Sequence, residues 1–151
     1  MKNSILIQEK TFEKARNEIR KNLDKKVIFS SDDDNLNRKI LEKEKIDIFM
    51  LLLADRKDFQ KQRNSGFNHV LAKIAKKNNI IIGINLDEII NSNLKEKAKV
   101  LARVRQNIKL CNKNKLKMRF VFIEEKNNRN IHDLKAVGLI LGMPTWMTKS
   151  L

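Results

Sequence analysis

Five short, nearly continuous apolar runs alternate with amphipathic segments along this chain, and that alternation restricts its fold more than any other feature. The runs are Ile5–Ile7, Val27–Phe29, Ile46–Leu53, Ile80–Ile82 and Phe120–Ile123. Continuous apolar character, rather than every second residue, is what strands buried on both faces of a parallel sheet require. Between the runs, helical patterns occupy about 11–22, 34–44, 66–77, 95–115 and 132–141. Strand and helix in strict alternation, with short connections, predict right-handed β/α units and therefore an α/β fold on a parallel sheet or barrel. The 151 residues can bury one sizeable core but fall short of eight β/α units. No repeat, linker or low-complexity block divides them, so residues 1–151 are read as one domain.

Charge supplies the next constraint. The formal net charge is +15, which favours polyanionic partners: RNA, DNA or an anionic membrane surface. Coding bias toward Lys, Asn and Ile could raise the charge without selection for binding, but such bias should act on both halves alike. Residues 1–60 carry 14 Lys/Arg against 12 Asp/Glu, whereas residues 61–151 carry 19 against 6. The asymmetry favours a binding surface in the C-terminal part. No apolar run reaches the roughly 20 residues of a membrane span, and Met1–Lys10 is too weakly apolar for a signal peptide. A single cysteine, Cys111, excludes an internal disulfide and a cysteine-based zinc site, as expected of a cytoplasmic protein.

Two helical segments carry the candidate contacts. Over 95–115, Leu94, Val100, Leu101, Val104, Ile108 and Cys111 share one side, while Lys95, Lys99, Arg103, Arg105, Lys109 and Lys113 spread over the other. Only Glu96 interrupts this one-signed face, where a merely solvated helix would mix signs. The segment from Arg63 to Lys73, RNSGFNHVLAK, opens a second helix at Ser65 or Gly66 with Phe67, Val70, Leu71 and Ile74 expected inside. Free amides at that helix start, with Arg63 just before them, suit a phosphate. His69 either holds the preceding loop or touches the ligand; both readings stand. Ser31, Asp32, Asp33 and Asp34 offer helix caps before Leu36.

The Arg63–Lys73 block, continued by Lys77–Leu86, resembles the ribonuclease P protein component 3 family, whose pattern here is a basic residue, one or two polar residues, then Gly-Ile-Asp-His-Val-Leu-Ala-Lys/Arg. A second block, Arg129–Gly138, is similar to that family's Arg-x-Pro-x-Asp-Leu segment. The resemblance covers about residues 26 to 143. Asn68 stands where the family has Asp, and Ile131 where it has Pro. The resemblance implies a TIM-barrel-like fold of the polymerase-and-histidinol-phosphatase type. Family members are longer, so a chain lacking their first strand–helix units and last helix implies an incomplete or shortened barrel of about five to six parallel strands. An open parallel edge of that kind invites pairing with a partner.

The resemblance further implies a non-catalytic subunit of an endoribonuclease complex that removes 5′ leaders from precursor tRNA. The hydrolysis is carried by the RNA subunit and its magnesium ions, with no cofactor on the protein. Implied partners are ribonuclease P RNA, ribonuclease P protein component 2 and other proteins of the complex, and precursor tRNA indirectly; no membrane is involved. The expected RNA-binding residues are Arg63, His69, Lys73, Lys77, Arg103, Arg105, Lys109 and Arg129, acting on phosphates and 2′-hydroxyls rather than bases. The chain has no Tyr, and Trp146 is expected to anchor the C-terminal core. The competing reading is a divergent metal-dependent phosphoesterase using Asp32, Asp34, Asp55 and His69. Against it, His69 and His132 form no paired motif, and a zinc hydrolase needs about three protein ligands per metal.

Overall fold

The structure, a computed structural model, describes residues 3–151. Five strands, β1 (Ser4–Ile7), β2 (Lys26–Phe29), β3 (Ile48–Leu51), β4 (Ile81–Asn85) and β5 (Met118–Val121), form one sheet in the order β1-β2-β3-β4-β5. Every neighbouring pair is parallel. The helices are α1 (Phe12–Lys21), α2 (Asp34–Lys43), α3 (His69–Lys77), α4 (Leu86–Asn91), α5 (Leu94–Lys113), α6 (Ile131–Leu141) and α7 (Thr145–Lys149), with a short 3-10 turn at Glu125–Asn127. The expected α/β architecture is present, with five of the expected five to six strands.

Strand order that follows chain order, closed by helical crossovers of one hand, must put the helices on one side of the sheet. The core shows that it does. Ile7, Val27, Phe29, Phe49, Leu51, Ile82, Ile84, Met118 and Phe120 join Ile19, Ile40, Ala72, Ala75, Val104 and Ile108 from the helices in one cluster. The alternate strand residues Ile28, Ile48, Met50 and Val121, with Leu6 and Ile81 against them, make a second cluster that contains no helical residue. These side chains are buried by one another, because the sheet curls toward this face as the wall of a barrel does. The fold is thus a one-sided β/α arc.

Helix starts follow their caps. Asp33 caps α2 by accepting from the amides of Asn35 (2.9 Å) and Leu36 (3.2 Å). Asn68 accepts from Leu71 N at 3.0 Å, so α3 begins at His69, three residues later than expected. That start turns Leu71, Ala72 and Ala75 inward and leaves Val70 exposed, correcting its expected core position. Both departures from the family pattern fall at such starts. Asn68 retains the capping oxygen, and Ile131 occupies the first position of α6, where proline is merely favoured, while Asn130 accepts from His132 N at 2.8 Å.

Gly83, in the middle of β4, shows how tightly the inner face closes. A Cβ there would lie 3.0 Å from Ile48 Cγ2 and 3.2 Å from Met50 Cα and Cβ. Gly83→Val is expected to lower stability by about 1–3 kcal/mol through overpacking. Denaturant unfolding checks this, and an unchanged midpoint would mean that the inner face is not closed.

Candidate nucleic-acid interface

In a parallel sheet every β-to-α loop leaves from the same rim, the C-terminal ends of the strands, and there the structure places Arg63 and Arg129. Arg63 ends a long excursion between β3 and α3, residues 52–68, and four anchors fix that loop. Glu88, on α4, accepts from the amides of Leu53 (2.9 Å) and Ala54 (3.4 Å), and Glu96 accepts from Asp55 N at 3.1 Å. Arg56 donates to Leu52 O at 2.5 Å and pairs with Asp34 at 3.0 Å, its guanidinium lying against Gly66, whose φ of +66° no side chain favours. The fourth anchor is Arg103.

Arg103 corrects the sequence reading. Its side chain is only 1% exposed, so it is no RNA contact. Nη1 donates to Leu53 O at 2.8 Å, and Nη2 donates to Arg56 O at 2.7 Å and Asp58 Oδ1 at 3.1 Å, with Glu96 3.7 Å away. Loop 52–68 folds over this stretch of α5 and buries a residue that helical periodicity alone assigns to solvent. Hydrogen bonds from Asn64 N and from Arg103 hold the Asp58 carboxyl below the usual carboxylate range. Its support for the loop therefore persists above the ordinary carboxylate pKa and is lost as pH falls through the depressed value. Burial acts oppositely on Glu88 and raises its pKa despite the two backbone donors.

Arg129 lies on the loop after β5, its guanidinium donating to Lys126 O and Asn128 O at 2.9 Å each. Asp87 pins this loop: it is buried and accepts from Ile123 N (2.7 Å) and from Asn127 Nδ2 (2.8 Å). Adjacent carboxylates on α4, Asp87 and Glu88, thus fix the two loops that carry Arg63 and Arg129. Sequence reading missed α4, although Asn85 followed by Leu86, Asp87 and Glu88 is a cap-and-acid start.

The remaining candidates do not converge. His69 is exposed at the start of α3, and its ring makes no hydrogen bond among the described residues, so it does not hold the preceding loop. Lys73 is exposed on α3, Arg105 and Lys109 on α5, and Lys77 at the last position of α3, the opposite rim from Arg63. Arg105 donates to Ile140 O at 3.4 Å. Trp146 packs against the main core, as expected, and its Nε1 donates to Asn112 Oδ1 at 3.0 Å. Burial pushes the Cys111 thiol up to about 12, so it carries no thiolate near neutrality.

Asp32, Asp34, Asp55 and Glu88 line a cleft of about 520 Å³ on the Arg63 rim, with Arg56 as its cation, and His69 is not part of its wall. Among the described residues no three His, Cys, Asp or Glu side chains are grouped to hold a metal ion.

No family model matches the chain. Ribonuclease P protein component 3 of Methanothermobacter thermautotrophicus is 31% identical over 128 residues, which cover 84% of this chain and 47% of that protein. The component 3 protein of Methanococcus maripaludis is 24% identical over 143 residues, 95% of this chain and 55% of that protein. A chain in the cryo-EM structure of archaeal ribonuclease P with mature tRNA superposes with a TM-score of 0.78 at 22% identity, covering 97% of this chain and 62% of that one. The chain spans about half the length of the curated relatives it matches. The resemblance drawn from the Arg63 and Arg129 blocks is borne out, and the shared fold extends over nearly the whole chain.

If Arg103 holds the loop rather than RNA, Arg103→Ala leaves the carbonyls of Leu53 and Arg56 without their donor and should lower the melting temperature of the chain. Arg103→Lys should recover little, since one ammonium cannot span the same oxygens. Thermal unfolding checks both; a stable Arg103→Ala protein that had lost only RNA affinity would return Arg103 to the binding surface.

Proposed function

From a chain similar in sequence to ribonuclease P protein component 3 and in fold to a chain of archaeal ribonuclease P, we propose a protein subunit of ribonuclease P that binds the catalytic RNA and supports endonucleolytic removal of 5′ leaders from precursor tRNA. The observation that carries the reading is the 31% identity over 84% of the chain, which includes the Arg63–Lys73 block. The net charge of +15 supports it, since a subunit of this kind lowers phosphate repulsion within folded RNA. In this reading the RNA carries the chemistry and holds the magnesium ions, and the protein brings no cofactor. Its partners are the RNA, ribonuclease P protein component 2 and other proteins of the complex, with precursor tRNA engaged indirectly. The cytoplasm is the corresponding location; no helix among the described residues is long and apolar enough to cross a membrane.

Arg63 and Arg129 are the proposed contacts on the loop rim, with Lys73, Arg105 and Lys109 on the helical flank and Lys77 on the opposite rim. Arg63 is exposed; its carbonyl accepts from Gln106 Nε2 at 3.2 Å, and its guanidinium makes no hydrogen bond or ion pair among the described residues. Phosphate contacts from such residues set register without reading base identity.

Reconstitution tests the reading. Adding the chain to ribonuclease P RNA and component 2 at low magnesium should raise the rate of precursor-tRNA cleavage, and no change on its omission would contradict the assignment. Arg63→Ala and Arg129→Ala should each weaken RNA binding while leaving the melting temperature unchanged; undiminished affinity at moderate salt would remove that residue from the interface.

A further inference from the structure

All α-to-β turns leave from the rim opposite the one that carries Arg63, and that second rim is lysine-rich. Lys25, Lys26 and Lys45 line one cleft of about 400 Å³ together with Asp47. Lys76, Lys115 and Lys117 line another of about 320 Å³. The sheet register joins the two clefts: Asp47 N donates to Val27 O, Ile81 N to Asp47 O, and Ile82 N to Lys117 O. From β2 to β5 the rim crosses three strand spacings, about 14 Å.

None of these six lysines makes an ion pair among the described residues. The acids of the same turns are mostly engaged. Glu44 pairs with Arg16 and Arg20, and Asp47 accepts from Val27 N at 2.8 Å, which leaves Asp24. Lysine in the last turn of a helix offsets the helix dipole, and Lys76 serves that end. The other five lie beyond the helix ends, where the dipole asks nothing of them. Lys115 is held at φ +55° with its ammonium 5.6 Å from the centre of the Trp146 ring. On the Arg63 rim one cleft is lined instead by the carboxylates of Asp32, Asp34, Asp55 and Glu88, with Arg56 among them.

We propose that the lysine rim, Lys25/Lys26/Lys45 with Lys76/Lys115/Lys117, is an RNA backbone-binding site, so that the main electrostatic contact with RNA lies on the face opposite the β-to-α loops. This rests on the RNA-subunit reading above and locates its surface. Lysines on flexible stems meet phosphate as point charges, and a polyanion is repelled by the carboxylate cleft and drawn to this side. Barrel enzymes do their chemistry at the loop rim; here the turn rim adds a second binding surface to the Arg63 and Arg129 contacts.

The test uses the whole chain and two charge-reversal pairs at exposed positions, K45E/K117E on the rim and K14E/K39E on α1 and α2. Both change the net charge equally, and both are checked for a parental melting temperature. If the rim pair melts low, K45Q/K117Q takes its place. Binding to ribonuclease P RNA is measured against salt, with Trp146 emission as a second signal, since the chain has one Trp and no Tyr. The rim pair should weaken binding by about tenfold or more and flatten the slope of log affinity on log salt by about two, while the helix pair changes it by less than about threefold. Parental affinity in the rim pair, or equal losses in both pairs, would overturn the site while leaving the RNA-subunit reading intact. A parent chain that binds no RNA would sink that reading and the site with it. Loss confined to anionic phospholipid vesicles, with RNA binding unchanged, would overturn the site in favour of a membrane surface.

Discussion

The single direction of all five strands governs the rest of this molecule. Because every neighbouring pair is parallel, each β-to-α loop must emerge at one rim and each α-to-β turn at the other. Helices confined to one face then close the core, while the other face curls onto itself around Gly83 and Met50. Two surfaces of different construction follow from this geometry. One is built of long, pinned loops, and the other of tight turns whose lysines stack side by side only because the strands do.

The loop rim is held by charged side chains as well as by the apolar packing of Leu53 and Phe67. Glu88 and Asp87 on α4, and Arg103 on α5, satisfy backbone groups of loops that would otherwise wander. Such ions are costly to bury and costlier to leave half-paired, which makes the loop conformation specific even where its net stabilisation is small. Exposed Arg63 and Arg129 are therefore presented from fixed backbone, as contacts that set register on a nucleic acid require.

Much of the fold was legible in the sequence because periodicity reports it directly. All five strands and the five longer helices coincide with apolar runs and amphipathic stretches. The six-residue α4 and five-residue α7 are too short for a helical period to show, although the caps of α4 were visible. Arg103 was misplaced for a different reason. A helical wheel describes one helix against one core, whereas loop 52–68 covers α5 from the other side, a contact made across 45 residues or more. Val70 failed because Phe67 is buried from the loop before α3 and is no part of the helical face, which is Leu71, Ala72 and Ala75. The lysine rim was out of reach altogether: its members are scattered from Lys25 to Lys117 and meet only once strand order is known.

The likeness to component 3 proteins and the distribution of charge support the proposed RNA partner from independent starting points. One rests on the Arg63 and Arg129 blocks, the other on a strongly cationic surface facing away from the carboxylate cleft. The most direct test of the central claim is equilibrium binding of the intact chain to ribonuclease P RNA across a range of monovalent salt. A tight complex is expected at low salt, its log affinity falling linearly with log salt as release of several phosphate counterions demands. No complex at low salt, or an affinity indifferent to salt, would contradict the claim.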